Sequence, residues 1–175
     1  MIITCTLRVY HSAGTIEFVR EPSIRPFHEG DEPGIQAVIK GVFDEYGFTW
    51  EPEGYNRDSL DVREFYHDQG GGFWVMELDG IVIGTVGLKA RRYGRCELYR
   101  LYLPAEHRGK GHGRDLYLFA QEAAREAGFT EMEIWSDKKL AAAHGMYAKS
   151  GAEPLGERIC DDPDHSEEFG FLLKL

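Results

Sequence analysis

The sequence predicts an α/β (α+β) domain in which helices cover both faces of a mixed, mostly antiparallel sheet. Three observations carry this expectation. Segments with apolar residues at helical spacing alternate along the chain with segments of two-residue periodicity. An Asp79-Gly80 pair between two apolar runs marks a tight hairpin, and a turn over 161–165 marks another near the C-terminus. The 175 residues, 42% of them hydrophobic, suffice for one core. Residues 23–175 are therefore expected to form a single domain, with 1–22 as an N-terminal extension outside it.

The elements follow in order. Residues 15–19 alternate weakly in the manner of a strand, and a clearer strand follows Glu21-Pro22 at 23–27. Ile35, Val38, Ile39, Val42, Phe43 and Tyr46 recur at helical spacing, with Asp31 and Gly47 as ends. Residues 47–56 set Phe48, Trp50 and Tyr55 among Gly, Pro and Glu, which reads as an aromatic loop leading to a second helix over 58–66. After Gly70-Gly71-Gly72, residues 73–78 and 81–88 form the hairpin. Residues 95–103 alternate, with Cys96, Leu98, Arg100 and Tyr102 on one face and Glu97, Tyr99, Leu101 and Leu103 on the other. Glu97 thereby shares a face with Leu101. A glycine-rich loop over 106–113 opens a helix whose Leu116, Phe119, Ala120, Ala123 and Ala127 make one apolar stripe, closed by Gly128. A short strand over 131–135 precedes a helix that Ser136 or Asp137 can cap, in which Leu140, Ala143, His144 and Tyr147 share a face before Gly151. Residues 154–160 and 168–173 close the chain as a hairpin. The order is β-α-α-β-β-β-α-β-α-β-β.

Composition narrows the function. A net charge of −10 disfavours nucleic acid, whose affinity rests on clustered Lys and Arg. The longest apolar run, 81–88, contains Gly84 and Gly87 and is far below the ~20 residues of a membrane span. No secretory pattern opens the chain, so a cytoplasmic location is expected and no membrane partner. Cys5, Cys96 and Cys160 are far apart in sequence and read as free thiols; the histidines are dispersed, so no metal is expected.

One segment concentrates chemistry. Arg108, Gly109, Lys110, Gly111, His112, Gly113 and Arg114 combine three glycines and three fixed positive charges between a strand and a helix start. Glycines allow successive N–H groups to converge, and a helix N-terminus adds a positive dipole end, so the loop suits a pyrophosphate. The nucleotide loop G-x-x-x-x-G-K-[ST] fails because no Ser or Thr follows a Gly-Lys, and G-x-G-x-x-G fails at Arg114. The pattern R-x-x-G-x-G matches through Arg108, Gly111 and Gly113. With the wider string LYRLYLPAEHRGKGHGRDLY, the sequence resembles the GNAT superfamily of N-acetyltransferases. The resemblance implies that the loop holds the pyrophosphate of acetyl-CoA while the backbone at Leu101 and Leu103 meets the pantetheine arm.

A second match, AAAHGMYAKSGA over 141–152, resembles the last core helix of that superfamily and puts Tyr147 where a tyrosine faces the cofactor sulfur. A phenol with a pKa near ~10 can protonate a departing thiolate. Attack by an amine requires loss of the ammonium proton to a carboxylate, and Glu97 occupies a strand position that holds a general base in similar enzymes; Tyr99 and Glu106 are substitutes. Many superfamily members carry an asparagine where this chain has Ser136-Asp137, which leaves that pair's role open. The expected activity is transfer of an acetyl group from acetyl-CoA to a primary amine of a small molecule or peptide by direct attack. The alternative is a non-catalytic acyl-CoA-binding or regulatory module. Tyr46, Trp50, Tyr55 and Trp74, with Glu51 and Glu53, offer stacking and charge to a cationic acceptor of unspecified identity. A homodimer is compatible with this reading.

Overall fold

The computed structural model describes residues 7–12 and 15–175, with side chains from Arg20 onward. Strands β1 (Leu7–Ser12) and β2 (Thr15–Arg20) pair antiparallel in a two-stranded sheet of their own. The remaining elements build one seven-stranded sheet of order β3-β4-β5-β6-β7-β9-β8. These strands are β3 (Ser23–Pro26), β4 (Gly72–Leu78), β5 (Ile81–Ala90), β6 (Arg95–Tyr102), β7 (Glu131–Asp137), β8 (Glu153–Ile159) and β9 (Glu167–Lys174). All neighbours are antiparallel except β6 and β7. The β4–β5 turn places Asp79 and Gly80 at φ +52° and +80°, the left-handed pair that a tight hairpin demands.

Helix α1 (Glu32–Tyr46) lies on one face. Its Ile35, Ile39 and Phe43 pack with Val62, Tyr66, Phe73 and Val75. On the other face, Leu116, Tyr117 and Ala120 of α2 (His112–Glu126) and Tyr147 of α3 (Ala141–Lys149) pack with Met76, Val86, Leu98 and Ile134. Burial of each large apolar side chain in these layers contributes about 1.5–3 kcal/mol. The buried stripe of α2 runs through Ala124, leaving Ala123 partly buried and Ala127 exposed, so the expected stripe is rotated by one position at its end.

Three further expectations are corrected. The helix expected over 58–66 is two short turns, Arg57–Ser59 and Arg63–His67. Asp58 and Tyr66 bond each other across this segment and Asp58 also binds Arg100 on the sheet, so side-chain bonds replace a continuous helical ladder. Strand β7 continues through Ser136 and Asp137, and α3 is preceded by Leu140 without a side-chain cap; Asp137 instead accepts from the Lys139 N–H at 2.7 Å.

The third correction concerns β6. Thr85 pairs with Tyr102 but Gly87 pairs with Tyr99, so Arg100 and Leu101 share one position opposite β5. Arg100 adopts φ +49°, and its carbonyl accepts from the Thr85 hydroxyl at 2.7 Å. A bulge of this kind shifts the alternation by one residue. Leu101 and Leu103 consequently join Leu98 in the α2 and α3 layer, while Tyr99 and Tyr102 pack toward α1. Glu97 and Leu101 therefore lie on opposite faces.

Candidate active site

The bulge coincides with a split in the sheet. The parallel register of β6 with β7 runs from Arg95↔Glu131 to Leu98↔Ile134, and both strands continue beyond it unpaired with one another. Backbone N–H and C=O groups at this edge must find other partners. Three cavities meet at the split, and Tyr102 lines all of them.

The first cavity, of 310 Å³, lies beside the glycine loop and is termed the donor cavity. Leu101, Leu103, Arg108, Gly109, Gly111, Gly113 and Arg114 line it, together with Met146 and Tyr147 of α3. Gly109 and Gly111 have φ of +74° and +95°, a backbone that glycine adopts without strain. Asp115 is the first residue of α2 whose N–H bonds back along the helix, to Gly111 at 3.0 Å, so among the described residues the N–H groups of His112, Gly113 and Arg114 have no partner. A side-chain carbon at Gly113 would meet no atom within 4 Å, so the cradle has room for an anion. These donors and this space fit a diphosphate.

The basic residues divide in role. Arg108 forms a two-pronged pair with Glu45 of α1, both contacts 2.7 Å, and donates its Nε to the Leu103 carbonyl at 2.7 Å. Its guanidinium thus ties the loop to α1 and to the residue that follows β6, and walls the cavity. Arg114 lines the cavity, whereas Lys110 donates to the Glu106 carbonyl at 3.1 Å and, like His112, is not in the lining.

The second cavity, of 70 Å³, is the junction. Tyr147 lines it as well as the donor cavity. Its ring is held edge-on by Tyr117 at 5.2 Å and against Phe171 at 5.5 Å, and its hydroxyl has no hydrogen-bond partner among the described residues. Burial, reinforced by Tyr117 and Tyr102, holds this phenol above its ordinary pKa, so it carries its proton. Ser136 and Asp137 also line the junction, with the Ser136 hydroxyl 3.2 Å from His144.

The third cavity, of 440 Å³, opens on the α1 face and is lined by charge. Arg100 and Asp58, both buried, form a two-pronged pair at 2.9 and 2.7 Å. Burial alone would raise Asp58, but Arg100 and the Tyr66 hydroxyl outweigh it and hold the carboxyl below its usual range. Glu97 does line this cavity, yet its carboxylate is taken by Arg91 at 2.6 Å and lies 3.6 Å from Arg158. Tyr99, whose hydroxyl accepts from Arg91 at 2.8 Å, is pushed up to about 12 by burial and then by Glu97. Glu106 lies outside all three linings.

Sequence reasoning did not single out Glu168. It lines both the junction and the third cavity and pairs with Arg158 at 2.6 Å. Burial raises its pKa against the opposing pull of Arg158. The Trp135 indole lies so close over Gly170 that a side-chain carbon there would meet the ring at 2.6 Å, and Arg158 stacks on that indole at 4.4 Å. Of the aromatic residues expected to receive an acceptor, Tyr55 alone reaches the third cavity. Tyr46 lines the donor side, Trp50 packs on Phe43 at 5.8 Å, and Trp74 packs on Phe119 at 5.6 Å.

A glycine cradle at a helix start opens into a split sheet with a buried phenol at the split, an arrangement with room and donors for a phosphate-bearing acyl carrier. The chain belongs to the acetyltransferase (GNAT) family, whose model matches residues 35–152. It is 34% identical over 142 residues to the uncharacterized N-acetyltransferase YjgM of Escherichia coli (strain K12), covering 78% of this chain and 84% of that protein. N-acetyltransferase 8 of Rattus norvegicus is 33% identical over 110 residues, 59% of this chain and 50% of that protein, so the chain spans half of that relative. An acetyltransferase of the GNAT family from Staphylococcus aureus superposes with a TM-score of 0.78 at 15% identity, over 89% of this chain and 99% of its own. The yncA acetyltransferase of Salmonella typhimurium, solved with acetyl-CoA, superposes with a TM-score of 0.71 at 20% identity, over 89% and 94%. These superpositions show a shared fold. Among the described residues no helix is long and apolar enough to cross a membrane.

Proposed function

We propose that the protein transfers an acetyl group from acetyl-CoA to a primary amine by direct attack, without a covalent enzyme intermediate. The observation that carries this reading is the free hydroxyl of Tyr147, protonated by its burial, at the point where the donor and junction cavities meet. Acetyl-CoA supplies an activated acyl group as a thioester. The N–H groups opening α2 and the backbone of Gly109 and Gly111 bind its diphosphate, and the β6 edge at Leu101 and Tyr102, with Leu103 just beyond the strand, orients the pantetheine arm. The bound acetyl-CoA of the Salmonella typhimurium relative supports this assignment by likeness of fold.

Tyr147 holds the proton that the departing sulfur takes up, and its apolar packing excludes water from that step. The incoming ammonium must lose one proton before its nitrogen can bond the acyl carbon. Glu168 is better disposed for this than Glu97, because it reaches the junction and its raised pKa makes it a stronger base. Glu97 instead holds Arg91 and orients Arg158, which in turn positions Glu168. Release of free thiol from acetyl-CoA, followed over a panel of primary amines with the purified protein, tests the reading. Amine-dependent release with formation of the acetylated amine is expected. Acetyl-CoA binding without release for any amine would refute it.

A further inference from the structure

The third cavity contains a cation that the transfer mechanism leaves unused. Lys89 of β5 is half-buried, and its ammonium stands over the rings of Tyr99 at 4.3 Å, Tyr66 at 4.9 Å and Phe65 at 5.4 Å. An ammonium has three donors and rings accept them weakly, so among the described residues Lys89 has no hydrogen-bond acceptor. The surrounding carboxylates are all committed elsewhere. Glu97, its partner across β6, is turned to Arg91 and Arg158, and Asp58 is held by Arg100. The other cations lining the cavity, Arg100 and Arg158, are paired with Asp58 and with Glu168 and Glu97.

The charges are also separated along the sheet. Lys89 lies on β5, whereas Glu168 on β9 and the exposed Asp161 just after β8 lie at the far end of the order β5-β6-β7-β9-β8. Among the described residues the cavity therefore presents, on its β5 side, an ammonium without a hydrogen-bonded carboxylate, attracted at longer range by Asp58 and Glu97, and, on its β8–β9 side, carboxylates that adjoin the junction.

We propose that Lys89 receives a carboxylate of the acceptor, making the acceptor an aminocarboxylate whose amine points to Glu168 and the junction. This rests on the acetyl-transfer reading above. A simple amine or a polyamine would leave the Lys89 ammonium unsatisfied and bring a second cation beside it, which disfavours both.

The test uses the free L-amino acids and, for each one acetylated, its carboxamide, read by thiol release from acetyl-CoA. The wild-type protein should acetylate at least one amino acid with kcat/KM about tenfold or more above its carboxamide, because a site built for a polar group rejects the analogue lacking it. In Lys89→Met that preference should collapse to within about twofold, and Lys89→Arg should restore part of it. Acetyl-CoA affinity measured calorimetrically on each preparation reports that the protein is folded and the donor cradle intact. Equal rates on acids and carboxamides, an unchanged preference in Lys89→Met, or release only with amines lacking an anionic group would overturn the inference while leaving acetyl transfer standing. Absence of acetyl-CoA binding in the wild type would instead overturn the transfer reading itself.

Discussion

The cavity proposed to take the acyl donor and the cavity proposed to take the acceptor meet at Tyr102 but are built from opposite materials. Two stretches, 101–114 and 140–147, supply all but Val42 and Tyr46 of the donor wall, and the recognising groups there are glycine backbone and aliphatic side chains. The wall of the third cavity gathers Tyr55, Asp58, Lys89, Glu97, Arg158 and Glu168 from separate segments of the chain, and its charges are held by other charges except at Lys89, whose ammonium stands over aromatic rings. A backbone cradle tolerates surface change and fails when a side chain enters it. A network of buried charges fails when one member loses its partner. Substitutions on the two sides should therefore differ in kind: donor-side changes act on affinity with the fold intact, and acceptor-side changes act on stability and pH dependence.

The largest effect is expected at the cradle. Gly113→Glu places a carboxylate among the α2 N–H groups where no protein atom obstructs it, so acetyl-CoA affinity should fall by ~10³-fold or more, about 4 kcal/mol, with little change in melting temperature. Calorimetric affinity equal to wild type would break the donor half of the comparison.

On the acceptor side, Asp58→Asn strands the buried Arg100 and should cost about 3 kcal/mol of stability, seen as a lowered denaturant midpoint. The folded pKa of Asp58 is depressed, so its contribution is present above the ordinary carboxylate value of ~4 and lost as pH falls through the folded value. Wild type should accordingly lose stability in acid more steeply than Asp58→Asn. Identical acid limbs would show that the pair does not hold the cavity wall.

A smaller loss separates the two candidate bases. Glu168→Gln should lower kcat/KM by about 10²-fold, about 2.7 kcal/mol, near neutral pH, where the amine still carries a proton, and the deficit should shrink once the amine is neutral. Because the folded pKa of Glu168 is raised, the wild-type rate should fall as pH drops through that raised value, and the variant should lack this limb. Glu97→Gln should lower the rate less than about tenfold and without that pH signature, since Glu97 acts through Arg158. The reverse order would return the base to Glu97.

The same division governs what is legible in the sequence. The glycine loop, α2 and α3 are local patterns, with residues 108–114 and 141–152 each contiguous, so these elements can be read from the order of residues alone. The Asp79-Gly80 turn is legible for the same reason. Alternation along β6 is not, because a bulge is set by pairing with β5 and leaves no mark in the spacing of 95–103. The segment 58–66 carries a helical pattern, but Asp58 and Tyr66 make tertiary bonds that a local reading does not contain. Glu168 opens the strand expected over 168–173, but nothing in that spacing sets it apart from the neighbouring carboxylates, and only the pairing of β9 with β7 brings it to the junction. Lys89 is one residue beyond the end expected for its strand, and only the rings of Phe65, Tyr66 and Tyr99 give it a role.

Tyr147→Phe tests the meeting point of the two sides. The substitution keeps the ring against Tyr117 and Phe171 and removes a hydroxyl that bonds no group among the described residues. Turnover, KM for acetyl-CoA and melting temperature are to be measured on one preparation. The expected outcome is a kcat lower by ~10²-fold, about 2.7 kcal/mol of transition-state stabilisation, with KM and melting temperature nearly unchanged. A wild-type kcat would remove Tyr147 from proton transfer.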